Sequence, residues 1–331
     1  MMAGKVATIG TVVVTTAAAG VGLYYFYARS VRKALQNKAV DELLLLLDHE
    51  NCHIRDIAIV RSKIRKLVSG GVKKLQIVTD FDRTLTKCFV DGQLGHASYG
   101  VIDDSSYIAD SIIQELKTLK EKYFPIEMST VLTEEEKIPY MIEWWISAIN
   151  MAAKAGVQKR LLPAMVRESR AVLRDGSDQF FHLIKENNIP ILIMSAGIGD
   201  IVEEILRQQA EISSSIKVVA NYYTYDKDNI VTGIKDDLIH TFNKNEVSKK
   251  QVEYFNHFKE RKNVILMGDT LGDPGMADGV ENANTVLKIG FLNKDIDQSL
   301  PRYMSDYDMV LTNDATMDLI NVFLQQLCLQ R

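Results

Sequence analysis

Short apolar runs recur along the chain, and each is bounded by polar or small residues. The first run, Leu75–Thr79, is rich in β-branched residues and is followed directly by Asp80. Runs this short and continuous are typical of strands in a parallel sheet that is covered on both faces. Further strands are predicted on the same ground: Ile189–Met194, Ile216–Ala220, Val264–Met267, Thr285–Ile289 and Met309–Leu311.

Apolar residues at helical spacing fill much of the remaining chain. Residues 30–70 are predicted to be helical, with Gly70-Gly71 ending the helix. The stretch between the first two strands, roughly residues 85 to 185, is much longer than a simple crossover needs. It is therefore predicted to be an inserted helical subdomain. Its helices are predicted at Ile112–Lys122, Thr133–Ala155 and Arg160–Leu173.

The alternation of strands and helices predicts an α/β fold with a Rossmann-like, doubly wound parallel sheet. Residues 1–30 are expected to form an N-terminal hydrophobic helix. Residues 31–86 and 186–331 are expected to form the core, and residues 87–185 the helical subdomain inserted after the first core strand.

The N-terminal segment is set apart by its lack of charge, since no charged side chain occurs from Val6 to Ala28. About 20 apolar residues span a bilayer core, so a membrane anchor is predicted. Lys5 precedes the run and four basic residues follow it within residues 29–38, which predicts that the bulk of the chain is cytoplasmic. That part would be tethered to the endoplasmic reticulum or another membrane. A cleaved signal peptide and a loosely structured tail are the alternatives.

Composition adds bounds to this picture. Of the 331 residues, 47% are hydrophobic and 25% are charged, which is typical of a globular protein with a sizeable core. The formal net charge of −4 argues against a partner that is a nucleic acid polymer. Cys52, Cys88 and Cys328 form no CxxC pair, so reduced thiols are expected in place of a disulfide scaffold or a zinc knuckle.

Polar residues follow several predicted strands, at the end of the sheet where α/β proteins bind ligands. Asp80 and Asp82 come directly after the first strand. One carboxylate at such a position can attack phosphorus as a nucleophile, and the other can act as general acid and base. Asp-x-Asp is also common in turns, so this pair alone is a weak signal.

The second strand is followed by Ser195, Ala196 and Gly197, with a helix predicted after them. A hydroxyl group and free backbone N–H groups at a helix start can bind phosphate, although an ordinary strand-to-helix turn has the same composition. Asp200 is a candidate N-cap residue of that helix, as an alternative to being a ligand.

Two further segments complete the candidate site. Lys244 can neutralise phosphate charge and keep a nucleophilic carboxylate ionised, although a single lysine is usually a solvated surface group. Asp269 and Asp273 lie on a glycine-rich turn after the strand Val264–Met267, which suits Mg²⁺ but would also suit a merely tight turn. The four segments together, each at a strand end and in this order, favour a magnesium-dependent phosphatase.

The sequence resembles the haloacid-dehalogenase superfamily of phosphatases. Within it, the chain is similar to the cytosolic 5'-nucleotidase III family, which acts on pyrimidine and 7-methylguanosine nucleotides. The resemblance runs from about residue 50 to the end. Its most specific stretches are Gln76–Asp82, Ser195–Glu204, Leu238–His240 and Gly268–Val280.

This resemblance implies a haloacid-dehalogenase core and hydrolysis of a nucleoside 5'-monophosphate. The protein is expected to be a monomer. Asp80 would be the nucleophile and Asp82 the general acid and base. Lys244, and neither Lys235 nor Lys249, would be the lysine of the family motif. The implied phosphate ligands are Ser195, Ala196 and Lys244, and the implied Mg²⁺ ligands are Asp80, the backbone carbonyl of Asp82, Asp269 and, directly or through water, Asp273.

The resemblance also places base recognition in the inserted helices. Glu127 would contact the base, and Tyr99, Trp144 and Trp145 could stack on it, which favours the 7-methylguanosine branch. Core packing is the alternative for the tryptophans, and at most one of two adjacent helical residues is expected to face the pocket. Ala148 stands where the family commonly has a serine that contributes to the base pocket, and Ser147 beside it is a candidate substitute.

Two other functions compete with a 5'-nucleotidase. One is another phosphomonoesterase of the same superfamily, acting on phosphoserine or a sugar phosphate. The other is a catalytically silent, membrane-tethered scaffold on a phosphatase fold. The presence of Asp80, Asp82, Lys244 and Asp269 argues against the scaffold.

Overall fold

A computed structural model describes residues 27–127, 129 and 131–330. The N-terminal hydrophobic helix predicted for residues 1–30 lies outside the described residues, apart from its last four positions. Among the helices of the described chain, none combines the length and the apolar character needed to cross a membrane.

The strands belong to one large sheet and two hairpins. The large sheet has the strand order β1-β11-β10-β9-β2-β5-β6, β3 pairs with β4, and β7 pairs with β8. In chain order the described strands are β1 (Cys52–His53), β2 (Leu75–Thr79), β3 (Phe89–Val90), β4 (Gln93–Leu94), β5 (Ile191–Ile198), β6 (Ile216–Asn221), β7 (Tyr223–Tyr225), β8 (Val231–Ile234), β9 (Asn263–Gly268), β10 (Thr285–Leu292) and β11 (Met309–Thr312).

Helices cover both faces of the large sheet. In chain order the described helices are α1 (27–46), α2 (Ile57–Gly70), α3 (Gly100–Asp103), α4 (Asp110–Glu127), α5 (Glu134–Lys154), α6 (Leu162–Glu168), α7 (Ser177–Glu186), α8 (Gly199–Gln209), α9 (Lys244–Lys250), α10 (Val252–His257), α11 (Ile296–Asp306) and α12 (Asp318–Cys328). Short 3₁₀ turns occupy Val72–Lys74, Lys159–Leu161 and Asp273–Ala277.

The predicted α/β fold with a parallel sheet is confirmed. Strands β6, β5, β2, β9, β10 and β11 are parallel neighbours, and only the two-residue β1 pairs antiparallel, with β11, within the described sheet. Successive side chains of β2 enter different cores, because Ile77 packs in the cluster that contains α2, α7 and α12, and Val78 packs in the cluster that contains α10. Every residue of β2 and β9 is buried, which explains why these strands are continuous apolar runs.

The prediction of one long helix over residues 30–70 is wrong. Helix α1 ends at residue 46 and α2 begins only at Ile57, with β1 between them. Asp56 fixes the start of α2, because its side chain accepts hydrogen bonds from the N–H groups of Ala58 and Ile59. The two residues of β1 are too few to give a periodic signal.

The helix predicted at Arg160–Leu173 is too long. Helix α6 ends at Glu168, and the chain beyond it pairs with the segment that follows β2. Lys87 donates from its N–H to the carbonyl of Val172 at 2.8 Å, and Thr86 forms a bridge with Leu173. These backbone bonds hold the chain extended.

The topology brings the predicted site residues together. β2 lies between β5 and β9, so the residues at the carboxyl ends of these three strands meet at one edge of the sheet. Helices α4 and α5 pack against each other, and α5 also packs against β8.

Candidate active site

One cavity of about 110 Å³ lies at the carboxyl ends of β2, β5 and β9. It is lined by every residue that was predicted to act in catalysis, phosphate binding or base binding. Those residues are Asp80, Asp82, Ser195, Ala196, Lys244, Glu127, Tyr99, Trp144, Trp145 and Ala148. Asp269 also lines the cavity, and Asp273 lies behind it.

Asp80 follows the last residue of β2 and is 4% exposed. Its N–H donates to the carbonyl of Met267 on β9 at 3.0 Å, which fixes the backbone. Its Oδ1 accepts from Lys244 at 2.5 Å, and its Oδ2 is buried without a hydrogen-bond partner among the described residues. Burial raises the pKa of Asp80 to about 7, with Lys244 opposing that rise.

Asp82 is held by one residue of the inserted segment. Its Oδ1 accepts from the N–H of Ser98 at 2.6 Å, and its Oδ2 accepts from the Ser98 hydroxyl at 2.7 Å. Burial raises the pKa of Asp82, and the hydrogen bonds from Ser98 oppose the rise. A carboxyl group with a raised pKa is suited to carrying a proton near neutral pH. Sequence reasoning missed Ser98, because no local pattern links it to Asp82.

Lys244 is the first residue of α9 and is 3% exposed. Its Nζ donates to Asp80 Oδ1 at 2.5 Å and to Asp273 Oδ1 at 2.7 Å. Burial alone would lower the pKa of Lys244, but the carboxylates of Asp273 and Asp80 outweigh burial and raise it above its ordinary value. The ammonium group is therefore charged and centred between two carboxylates, whereas Lys235 and Lys249 are exposed.

Asp273 is fully buried and already saturated by protein donors. Its Oδ2 accepts from the N–H groups of Asp269 and Thr270 and from the Thr270 hydroxyl, at 2.8–3.0 Å. Its Oδ1 accepts from Lys244. Asp273 thus shapes the turn after β9 and orients Lys244.

A cation would fit beside Asp80. Carboxylate oxygens of Asp80, Asp269 and Asp273 all lie within 4.8 Å of one another. Burial raises the pKa of Asp269 well above its ordinary value, and the neighbouring Asp80 and Asp273 add to that rise. The crowded negative charge of these three carboxylates is the feature that a hard divalent cation would offset.

Ser195 and Ala196 lie within β5, which extends to Ile198, beyond the predicted strand end at Met194. The pairing of β5 with β6 shifts register between Met194 and Ile198, and α8 begins at Gly199. The Ser195 Oγ accepts from the Gly197 N–H at 2.9 Å, which leaves the hydroxyl proton free to donate. The irregular strand end thus presents donors to the cavity.

Gly197 is required by space. A Cβ at this position would lie 1.7 Å from the Ser98 hydroxyl and 2.8 Å from Asp82 Oδ2. The backbone of β5 therefore approaches the Ser98–Asp82 pair as closely as only glycine permits.

Asp200 is not the N-cap residue of α8, and it does not line the cavity. It lies in the first turn of that helix, where the N-cap position is Ile198. Its Oδ2 accepts from the N–H of Tyr223, and its Oδ1 accepts from the Tyr225 hydroxyl, both at 2.9 Å. Asp200 therefore anchors the β7–β8 hairpin, which no sequence feature had suggested.

An aromatic wall lines the same cavity as Asp80 and Asp82. Tyr99 lies edge-on to Trp144 and Trp145, with ring centroids 6.3 Å and 5.8 Å away, and Tyr123 stacks on Trp144 at 6.0 Å. Both tryptophans line the cavity, so the expectation that at most one would face it is wrong. Trp144 and Trp145 both lie edge-on to Tyr99, so two adjacent positions of α5 reach the same cavity.

Glu127 ends α4 and connects the inserted segment to the core. Its Oε1 accepts from the Thr241 hydroxyl at 2.9 Å, close to Lys244 in sequence. Ala148 lines the cavity, whereas Ser147 does not. Met141, Thr241 and Arg83 also line it, and none of these three was predicted as a site residue.

Comparisons with known proteins agree on one family. The family model described as pyrimidine 5'-nucleotidase (UMPH-1) matches residues 83–328. The 7-methylguanosine phosphate-specific 5'-nucleotidase A of Xenopus laevis is 42% identical over 282 residues, which cover 85% of this chain and 97% of that protein. The 7-methylguanosine phosphate-specific 5'-nucleotidase of Homo sapiens is 42% identical over 271 residues, which cover 82% of this chain and 90% of that protein.

A solved structure extends this agreement to three dimensions. The crystal structure of cytosolic 5'-nucleotidase IIIB bound to cytidine has a TM-score of 0.76 and 33% identity, and the match covers 86% of this chain and 96% of that chain.

Proposed function

Since the chain belongs to the pyrimidine 5'-nucleotidase (UMPH-1) family and is a 5'-nucleotidase, we propose that it transfers the phosphoryl group of its substrate to Asp80 and prefers 7-methylguanosine 5'-monophosphate. The protein hydrolyses nucleoside monophosphates, and its α/β fold is of the haloacid-dehalogenase type. The observation that carries the proposed mechanism is the buried Oδ2 of Asp80, a residue that lines the cavity together with Asp82, because this oxygen has no hydrogen-bond partner among the described residues.

Asp80 is suited to nucleophilic attack. Lys244 binds its Oδ1, so Oδ2 is the oxygen left to form the bond to phosphorus. The P–O bond to the nucleoside then breaks, and an aspartyl phosphate remains on Asp80. Water attacks that phosphorus in the second step and returns Asp80 as a free carboxylate with release of phosphate.

Asp82 is suited to moving the protons of both steps. Protonated Asp82 gives its proton to the departing 5' oxygen, and the resulting carboxylate accepts a proton from the attacking water. The Ser98 hydroxyl can donate to the carboxylate or accept from the carboxylic acid, so it holds Asp82 in either protonation state.

The phosphate oxygens would be held by Ser195, by the backbone around Ala196 and by Lys244. The free hydroxyl proton of Ser195 and the ammonium group of Lys244 approach the cavity from β5 and α9. Opposite charge and preorganised donors stabilise the negative charge on the phosphoryl oxygens in the transition state.

Asp80 and Asp269 are the residues suited to hold Mg²⁺, with the backbone carbonyl of Asp82 as a further ligand and Asp273 acting through the turn that it shapes. Bound Mg²⁺ would offset the repulsion between the Asp80 carboxylate and an incoming phosphate dianion.

Base selection is assigned to the inserted segment, residues 87–185, acting as a cap over the core. Tyr99, Trp144 and Trp145 offer aromatic faces and edges, and Glu127 offers a carboxylate oxygen. A base with a fixed positive charge gains from both, because a cation is attracted to an aromatic face and to a carboxylate. The names of the Xenopus laevis and human relatives support this choice of base.

A hydrolysis panel tests the substrate. We expect kcat/KM for 7-methylguanosine 5'-monophosphate to exceed that for CMP, UMP and AMP, with phosphoserine not turned over. Faster hydrolysis of CMP would show that the preferred base is a pyrimidine and not 7-methylguanine. Faster hydrolysis of phosphoserine would overturn the assignment of the cap residues.

Asp80→Asn tests the nucleophile. The amide cannot form the acyl phosphate, so we expect kcat to fall by at least about 10⁴-fold. Retained turnover in Asp80→Asn would contradict the mechanism.

Addition of EDTA to the wild-type protein is expected to abolish turnover, and added Mg²⁺ is expected to restore it.

A membrane tether is proposed separately for the N-terminal segment, which lies outside the described residues. It is supported by the absence of charge from Val6 to Ala28 and by the basic, exposed start of α1 around Arg29, Arg32 and Lys33. We expect the full chain to pellet with membranes after a carbonate wash and a chain starting at residue 40 to stay in the supernatant. Equal distribution of the two would contradict the tether.

A further inference from the structure

A second cavity, of about 240 Å³, lies next to the active site. The two cavities share Arg83, Ala97 and Tyr99 as a common wall. A single buried water needs only about 10–15 Å³ by the same measure, so the second cavity has room for a polyatomic ion with water around it.

Positive charge dominates this cavity. Arg83, Lys117, Lys120 and Arg170 line it, against the carboxylates of Asp103 and Asp104. Asp104 is already engaged, because it lies within 3.1–3.5 Å of His96, Lys117 and Arg170. His96 adds no charge near neutral pH, since burial, and then Arg170, lower its pKa.

Two of the cations have no partner among the described residues. The guanidinium group of Arg83 makes no hydrogen bond or ion pair with them, and its Nε is buried. Lys120, on α4, is half-buried and forms no ion pair within 4.0 Å with them, although its charge acts on the nearby Asp103 carboxylate. Because neither cation is hydrogen-bonded to an anion of the described residues, a ligand with anionic oxygens would be favoured in this cavity.

We propose that the second cavity is a phosphate-binding site, with Arg83 at its boundary with the active site and Lys120 among its other lining residues. The proposal rests on the proposed function for the source of the phosphate. That source is either the orthophosphate released from Asp80 or a second phosphate group carried by the nucleotide. Tyr99, in the shared wall, separates this site from the base.

Direct binding tests the site without relying on turnover. Orthophosphate is titrated by calorimetry into full-length wild type, Lys120→Gln and Lys122→Gln, each with Mg²⁺. Lys122 is the matched control, because it lies on α4, is exposed and does not line the cavity. We expect Lys120→Gln to weaken the Kd of a bound phosphate at least tenfold and Lys122→Gln to leave it unchanged.

Equal phosphate binding by the two variants would overturn the proposal. Because this comparison needs no catalysis, a chain that fails the hydrolysis panel can still pass it, and the failure of the two proposals can be told apart.

Kinetics then identify the source. If released phosphate is the ligand, Lys120→Gln relieves inhibition of nucleotide hydrolysis by added orthophosphate and leaves KM unchanged. If the substrate supplies the ligand, Lys120→Gln raises KM at least fivefold for a nucleoside 3',5'-bisphosphate but not for the matching 5'-monophosphate. If Lys120→Gln shows neither of these effects relative to Lys122→Gln, the proposed phosphate site is also overturned.

Discussion

Asp82 owes its orientation to a single residue, because both of its carboxylate oxygens accept from Ser98. In Ser98→Ala the backbone bond remains and the hydroxyl bond is lost. One hydrogen bond to a charged group contributes about 1.5–3 kcal/mol, so we expect kcat to fall roughly 10- to 100-fold with little change in KM. Steady-state kinetics with the preferred nucleotide measure both constants.

Ser106→Ala is the control for that substitution. Ser106 is exposed and its hydroxyl donates to Glu168, away from the cavity. An equal loss of kcat in Ser106→Ala, or a rise in KM alone in Ser98→Ala, would remove Ser98 from the positioning of Asp82.

Asp103 provides a test at low pH. Burial raises its pKa from 3.8 to about 6, although Lys120 and Lys117 oppose the rise. The folded protein therefore holds this proton more tightly than the unfolded chain does. Consequently, the free energy of unfolding falls as the pH rises from about 4 through about 6. An amide at this position cannot ionise, so we expect Asp103→Asn to raise Tm by roughly 2–4 °C at pH 7.5 and not at pH 4.

The measurement is differential scanning calorimetry in phosphate-free buffer, with Glu121→Gln as the control. Glu121 is an exposed residue of α4, and its neutralisation is expected to leave Tm unchanged at both pH values. A Tm difference for Asp103→Asn that is equal at pH 4 and pH 7.5 would show that Asp103 is protonated to the same extent in both states.

At the scale of the elements, close packing at the junction of β5 and α8 leaves no space for a side chain on Gly197. In Gly197→Ala the new methyl group would displace Ser98 and Asp82, the nearest side chains. We expect kcat to fall at least about 100-fold, because small displacements of catalytic groups have effects of this size. Gly100→Ala is the control, since its Cβ would lie 3.9 Å from its nearest neighbour. Activity kinetics that match between the two variants would contradict the crowding.

Several elements could be predicted from the sequence because their signal is local. The buried strand β2 has the predicted bounds, Leu75–Thr79. The two long helices α4 and α5 were predicted from the helical spacing of their apolar residues. Strand β1 and the β3–β4 and β7–β8 hairpins were missed, because they are only two to four residues long. Their formation depends on partners far along the chain, such as β11 for β1.

The candidate site divides in the same way. Residues at strand ends, such as Asp80 and Asp269, could be predicted because every parallel strand presents its carboxyl end to one edge. Ser98 and Arg83 could not, because their roles arise from packing between the inserted segment and the core. Asp200 was misread for a similar reason, since its partners Tyr223 and Tyr225 lie on a hairpin that was not predicted.

At the scale of the whole molecule, Arg174 ties three loops together and is only 2% exposed. Its guanidinium group donates to the carbonyls of Arg83, Thr84 and Ala315 and to Asp314, at 2.5–2.7 Å. Arg174→Met keeps the bulk and removes every one of these bonds. We expect it to lower the free energy of unfolding by about 3–5 kcal/mol and Tm by on the order of 10 °C.

Thermal unfolding monitored by circular dichroism measures this loss. Arg207→Met is the control, because Arg207 is exposed and pairs with Glu204 on the same helix, a type of ion pair that contributes little. A loss of stability in Arg174→Met no larger than in Arg207→Met would show that the loops are held by other contacts.

The central position of β2 in the sheet has a consequence for synthesis on the ribosome. Strand β2 ends at Thr79, whereas its neighbours β5 and β9 begin at Ile191 and Asn263. At about 5–20 residues per second, its second neighbour is made on the order of 10–40 s later. Until β9 has emerged, this buried and largely apolar strand has at least one hydrogen-bonding edge open, so nascent chains are exposed to aggregation and depend on chaperones during that interval.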